Sequence, residues 1–172
     1  MENDPHSLLA EEVREWNTPL LSAYLLWEFT VGYKEAHPEN SSPIGLLHFI
    51  ALALLTNPRL VRYVSNKRSS LQSYTLGIEE NRLTDQLLSL QDRINQRKHH
   101  TLEAIDTAIN AGLLVWDSET AIIYPVDLRK KPSHGKNLKA TVKSYGAKAR
   151  LLGNWFSAHD TLAIANYLRV TL

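Results

Sequence analysis

The stretch RKHHTLEAIDTAINAGLLVWDSETAIIYP, Arg97 to Pro125, decides the fold. Leu102, Ile105, Ala108 and Ile109 recur at the three- and four-residue spacing of one helix face. The helical run stops at Gly112. A helix end often needs a left-handed residue, and glycine adopts that conformation without steric cost. A short apolar strand follows, Leu113 to Trp116. The polar turn Asp117-Ser118-Glu119-Thr120 has ordinary chemistry for a longer hairpin loop. A second apolar run, Ala121 to Tyr124, returns from it. Helix, glycine stop and hairpin make the local grammar of a winged helix. The expected fold is mainly α (α+β): a helical N-terminal half, a winged-helix-like core and a short β-hairpin wing. Such a unit usually binds nucleic acid or another protein and is rarely an active site.

Upstream, Ser7 to Trp16 reads as a weak amphipathic helix with Leu8, Leu9 and Val13 inward. Thr18-Pro19 is a helix start, with Thr as N-cap and Pro where its missing N–H costs nothing. This helix is expected to reach about Ala36, with Leu20, Tyr24, Trp27 and Val31 as one stripe, widened by Leu21 and Leu25. After a loop, His37 to Ser41, Ser42-Pro43 repeats the start signal and opens a buried helix that ends before Asn57-Pro58. A shorter helix, Arg59 to Ser65, follows. Asn66 to Ser70 is a polar break, and Leu71 to Leu76 is ambiguous. Arg82 to about Arg97 is helical, with no Gly or Pro to separate it from the next helix.

Downstream of the hairpin, Arg129 to Asn137 is a basic loop and Leu138 to Phe156 a helix with Val142, Tyr145, Ala149 and Leu152 inward. The S-x-x-D pattern Ser157 to Asp160 opens a last helix. The whole chain, 1–172, is expected to be one domain. Residues 1–66 form its helical part, 82–128 the winged-helix-like part and 129–172 the basic helical part.

With 172 residues and 44% hydrophobic composition the chain can bury a real core. It has no cysteine, so neither a disulfide framework nor a zinc ribbon is expected. The acidic start, MENDPHSLLAEEVREW, lacks the apolar region of a signal peptide. Ile44 to Leu55 is too short to span a bilayer, which takes about 20 residues, so a cytoplasmic protein with no membrane partner is expected. The net charge of +1 hides an asymmetry. Met1 to Pro58 holds eight acids and two bases, whereas Arg129 to Leu172 holds nine bases and one acid, Asp160. Charge segregated in this way suggests surfaces for different partners.

No catalytic constellation stands out. There is no phosphate loop, no G-x-S-x-G, no HExxH and no thiol nucleophile. Adjacent acids, Glu11-Glu12 and Glu79-Glu80, do not converge on one substrate. His99 and Glu103 share a helix face but read as a solvated pair, and His48 as a hydrogen-bonded core or interface histidine. No metal and no cofactor are expected. Two candidate surfaces remain. Trp16, Tyr24, Trp27, Phe29 and Tyr33 are too many aromatics for one helix face. They form either a helix packed on two sides or a partner-binding surface built on Trp16, Tyr24, Trp27 and Tyr33. Arg129, Lys130, Lys131, Lys136, Lys139, Lys143, Lys148 and Arg150 form a basic segment that is either a solvated face or a site for DNA phosphates or an acidic partner.

Three segments together resemble a known family. Asn17-Thr18-Pro19-Leu20 with Tyr24-Leu25-Leu26-Trp27-Glu28-Phe29 and Gly32-Tyr33 is similar to the opening of the middle components of three-component ABC-ATPase systems. AIDTAINAGLLVW, Ala104 to Trp116, resembles their winged-helix core. ARLLGNWF, Ala149 to Phe156, with Leu168-Arg169-Val170 resembles their ending, where Arg169 stands in place of the family's Gly. The resemblance implies a non-catalytic bridging subunit. Its implied partners are an SMC- or Rad50-like ATPase and an effector, often a nuclease, in anti-phage or anti-plasmid defence of the Lamassu type. DNA would be met through the complex. A stand-alone winged-helix DNA-binding regulator is the alternative from another class, and an enzyme of an unrecognised kind has no positive support.

Overall fold

The computed structural model describes residues 18–128 and 140–172. Among them are helices α1 (Pro19–Ala36), α2 (Gly45–Leu55), α3 (Pro58–Val61), α4 (Leu71–Glu80), α5 (Thr84–Leu88), α6 (Leu90–Gln96) and α7 (Lys98–Asn110). Strands β1 (Leu114–Asp117) and β2 (Ile122–Pro125) follow, then α8 (Ala140–Ser157) and α9 (Thr161–Leu168). Among the described residues the fold is mainly helical with one small antiparallel sheet. No described helix is long and apolar enough to cross a membrane. The expected helix Ser7 to Trp16 and the basic loop Arg129 to Asn137 lie outside the described residues.

Helix α1 is the centre. It starts as its sequence dictates: Thr18 caps it by accepting from the Leu21 N–H, with Pro19 in the first turn. Two of its faces enter two apolar clusters. Leu25, Phe29 and Tyr33 join Leu47, Leu54, Tyr74, Leu152, Trp155 and Phe156. Ala23, Leu26 and Trp27 join Leu52, Ala104, Ile105, Ala108, Leu114 and Ile123. So α8 and α7 lie against different faces of α1. A helix apolar on most of its circumference can be satisfied only this way.

The contact of α1 with α8 is backbone against backbone. A Cβ added at Gly153 would lie 2.1 Å from the Phe29 carbonyl oxygen, and one at Gly32 would lie 2.1 Å from that of Arg150. Asn154, with its amide nitrogen turned inward, donates to the Gly32 carbonyl at 2.6 Å and to that of Arg150 at 3.1 Å.

The helix stop and the hairpin are present, with each strand one residue later than the sequence reading and with Leu102, expected on the inner face, exposed. Gly112 has φ +70, the Leu113 N–H donates to the Ala108 carbonyl and the Gly112 N–H to that of Ile109. These are the paired bonds of a Schellman stop. Leu114 pairs with Pro125 and Val115 with Tyr124. The turn is closed by Asp117, whose carboxylate accepts from the Glu119 N–H and from the Thr120 hydroxyl.

Several boundaries differ from the sequence reading, each for a physical reason. The buried helix starts at Gly45, not at Pro43, because the preceding residues pair with the far edge of β2. Ile123 N–H donates to the Pro43 carbonyl and Gly45 N–H to that of Ala121. The helix expected over Arg59 to Ser65 is the single turn Pro58–Val61, capped by Asn57. Leu71 onward is helical to Glu80, started by a reciprocal Ser70–Ser73 capping box. The helix expected over Arg82 to Arg97 is two short ones, bent at Ser89 and again at Arg97, where ψ is close to zero. The bend lets Arg93 turn onto the end of α2, where it donates to the carbonyls of Ala53 and Thr56. The last helix is capped by Asp160, which accepts from the Ala163 N–H, and not by Ser157.

Candidate interaction surfaces

Of the expected aromatic anchors, Trp16 lies outside the described residues. Trp27 is inside the fold, 4% exposed, with its indole N–H directed at the Val126 carbonyl at 3.5 Å. Tyr33 is also buried and stacks on His37. Tyr24 is half-buried at the border of the two clusters and donates to Glu28 at 3.1 Å. Burial, reinforced by the carboxylate, pushes its phenol above the usual tyrosine range. The surplus of aromatics is thus absorbed by a helix packed on several sides.

Of the basic residues, Arg129, Lys130, Lys131, Lys136 and Lys139 lie outside the described residues. Arg150 reaches back to α1 and bonds Glu28 at 3.0 Å and also Glu35. Its burial disfavours the cation, and the two carboxylates outweigh that. Lys148 donates to the carbonyls of Val61 at 2.8 Å and Val64 at 3.0 Å, at the open end of α3. A cation is favourable there because a helix C-terminus carries partial negative charge. Burial holds the Lys148 ammonium below the usual lysine range. Lys143 is exposed on α8.

His48 is fully buried, with Nε2 2.8 Å from the Thr30 hydroxyl and Nδ1 3.2 Å from the Ile44 carbonyl. Burial lowers its pKa to about 4, so it is neutral at pH 7. It is a core histidine. His99 and Glu103 form an exposed pair at 3.2 Å. Among the described residues no group of three or more acidic or histidine side chains converges in a way that could hold a metal.

Two surfaces were not picked out from the residues. The outward face of the hairpin carries the cross-strand pair Val115 and Tyr124, 53% and 39% exposed. Trp116, 37% exposed, lies on the other face beside Gly45. The available signal was that successive strand residues point to opposite faces, so two adjacent apolar runs leave one apolar row outside. The second is a basic corner around α3: Arg59, Arg62 and Lys67 are exposed, and Lys148 joins them from α8. Its signal was the stretch Asn40 to Ile78, which contains no Asp or Glu.

The described residues thus form a helical module with a hairpin, an exposed apolar strand face and a basic corner. Its sequence matches the family model described as ABC-three component (ABC-3C) system Middle Component 3 over residues 6–172. The chain belongs to that family. No curated protein and no solved structure matches it.

Proposed function

We propose that this chain is the non-catalytic adaptor of an ABC three-component complex, bridging an SMC- or Rad50-like ATPase to an effector. The observation that carries this reading is the family match over nearly the whole chain. The nuclease identity of the effector, and a role in Lamassu-type anti-phage defence in the cytoplasm, follow from the resemblance. The hairpin supports a partner contact. Val115 and Tyr124 leave apolar surface in water, and aromatic residues are enriched at protein interfaces. A winged-helix arrangement is supported by the bridge from Ile44 to Ile122, which adds a strand position on the far edge of β2.

The regulator reading is disfavoured by α7, the helix preceding the wing. Its outward positions include Leu102, Glu103 and Asp106, and carboxylates repel phosphate. Co-expression with the ATPase and effector tests the adaptor reading. The wild-type chain should co-purify with both, and Val115→Thr/Tyr124→Thr, which keeps strand-forming residues at this cross-strand pair, should lose at least one partner while keeping its melting temperature. A chain that folds and captures neither component would refute the proposal.

A further inference from the structure

We infer that the corner formed by α3, the turn after it and the Lys148 region of α8 is a contact surface for the phosphodiester backbone of duplex DNA. Arg59 and Arg62 stand three residues apart on the α3 turn and its C-cap, which is still helical. Residues at that spacing share a helix face with about 5–6 Å between Cβ atoms. Arg62 lies over the Tyr63 ring, with its guanidinium carbon 5.6 Å from the ring centroid. The Lys148 ammonium sits on the carbonyls of Val61 and Val64 and 3.5 Å from that of Arg62, so a third cation borders the pair. Lys67 is in the next turn, closed by the Arg68 N–H to the Ser65 carbonyl. Arg68 itself faces Glu80 at 3.9 Å and marks the edge of the corner. Lys143 continues the positive charge along α8.

The kind of partner follows from what accompanies the charge. Protein interfaces place aromatic and aliphatic residues at their centre and are depleted of charge there. Nucleic-acid interfaces are more polar and far more positive. The large exposed hydrophobics of the described residues are Leu20, Leu46, Leu76, Leu88, Leu102, Val115, Trp116, Tyr124, Leu162 and Leu172; none falls in α3, in the turn after it or in α8. Between Arg59 and Lys67 the exposed positions are polar or basic. No base-reading element is present in a single turn of helix, so the contact is to phosphates and independent of sequence.

The test uses the full-length chain, alone and within its ATPase complex, and short fluorescent DNA duplexes of unrelated sequence. Three phosphate contacts give a slope of log affinity against log salt of about −2.7, so binding weakens roughly fortyfold between about 50 and 200 mM salt. Arg59→Gln/Arg62→Gln should flatten that slope by about two units, equally for every sequence. Both side chains are exposed, so melting temperature and ATPase co-purification should be unchanged. Lys98→Gln, on α7, should leave the slope as it was. The inference is overturned if the wild-type chain and complex retain no duplex, if the double variant keeps the full slope, or if Lys98→Gln flattens it equally. Loss of the ATPase with an intact DNA slope would assign the corner to an acidic protein face. Because the salt slope is read on the isolated chain as well, its failure is distinct from failure of the adaptor reading.

Discussion

Replacing Arg150 by Met should destabilise the fold strongly, and removing Glu28 as well should restore most of the loss. The pair is partly buried: the side chains of Arg150 and Glu28 are 29% and 11% exposed. Removing one partner of a fully buried pair costs about 3–5 kcal/mol, because the other charge is stranded. Water reaches the Arg150 side, and Tyr24 still donates to Glu28, so about 2–3 kcal/mol is expected here. In a domain of this size each kcal/mol moves Tm by roughly 2–4 °C. Arg150→Met should therefore melt about 4–12 °C lower. In Glu28→Gln/Arg150→Met no charge is stranded, the Gln oxygen can still accept from Tyr24, and Met fills the volume. At least half of the loss should return. Arg150→Lys keeps the charge but cannot fork to Glu28 and Glu35 from two nitrogens, so it should fall between. Calorimetry on the four proteins at pH 7 is the assay. If Arg150→Met melts with the wild type, or the double variant is no better than the single, the bridge is not a structural element. Arg150 would then be free for a partner.

Three further outcomes are expected. Gly153→Ala must drive α1 and α8 apart, since its Cβ would meet main-chain atoms of Phe29 and Tyr33 that cannot step aside. A loss of about 1–3 kcal/mol in urea denaturation is expected, and an unchanged midpoint would refute the close approach. His48 is neutral in the fold, with a pKa of about 4, and ordinary at 6.5 when unfolded. The unfolded chain therefore takes the proton first, and this stability, present above pH 6.5, is lost as pH falls towards 4. The total is roughly 3 kcal/mol; the Tm difference between pH 7 and pH 5 should shrink in His48→Gln, and an equal difference would sink the assignment. Arg169 sits in the left-handed region with φ 58, where a β-branched residue is strained. Stability should rank Arg169→Gly at or above wild type, after loss of the exposed pair with Glu79, and Arg169→Val below both; equal Gly and Val variants would contradict that geometry.

What was legible in the sequence was local. Thr18-Pro19 and Gly112 announced a helix start and a helix stop, and the two apolar runs joined by a polar turn after Gly112 announced the hairpin, because each signal acts within a few residues of its cause. Arg169 shows the same principle: the resemblance expects Gly there, and the backbone conformation explains why. Reach across the chain was not legible. Ser42-Pro43 looked like a helix start, but β2 claims that backbone. The bends at Ser89 and Arg97 have no Gly or Pro to mark them; they come from docking on α2. Arg150 and Lys148 read as free surface charge because their partners are far away in sequence, 122 positions for Glu28 and 87 for Val61. The basic corner was half legible: the acid-free run could be counted, but nothing local says that Lys148 lies beside it.

The glycine contact between α1 and α8 also sets an order of events during synthesis. The two helices are separated by about a hundred residues, so α1 leaves the ribosome long before α8, the partner for its Gly32 contact, exists. At about 5–20 residues per second the wait is roughly 5–20 s. Through that interval α2 covers part of the Leu25, Phe29 and Tyr33 face, while the strip that Gly32 presents to α8 stays uncovered. Closure of such a long-range contact is late and entropically costly. Ribosome-bound chains released at Leu128 should accordingly be captured by chaperones and cleaved within α1, whereas chains carrying α8 should resist.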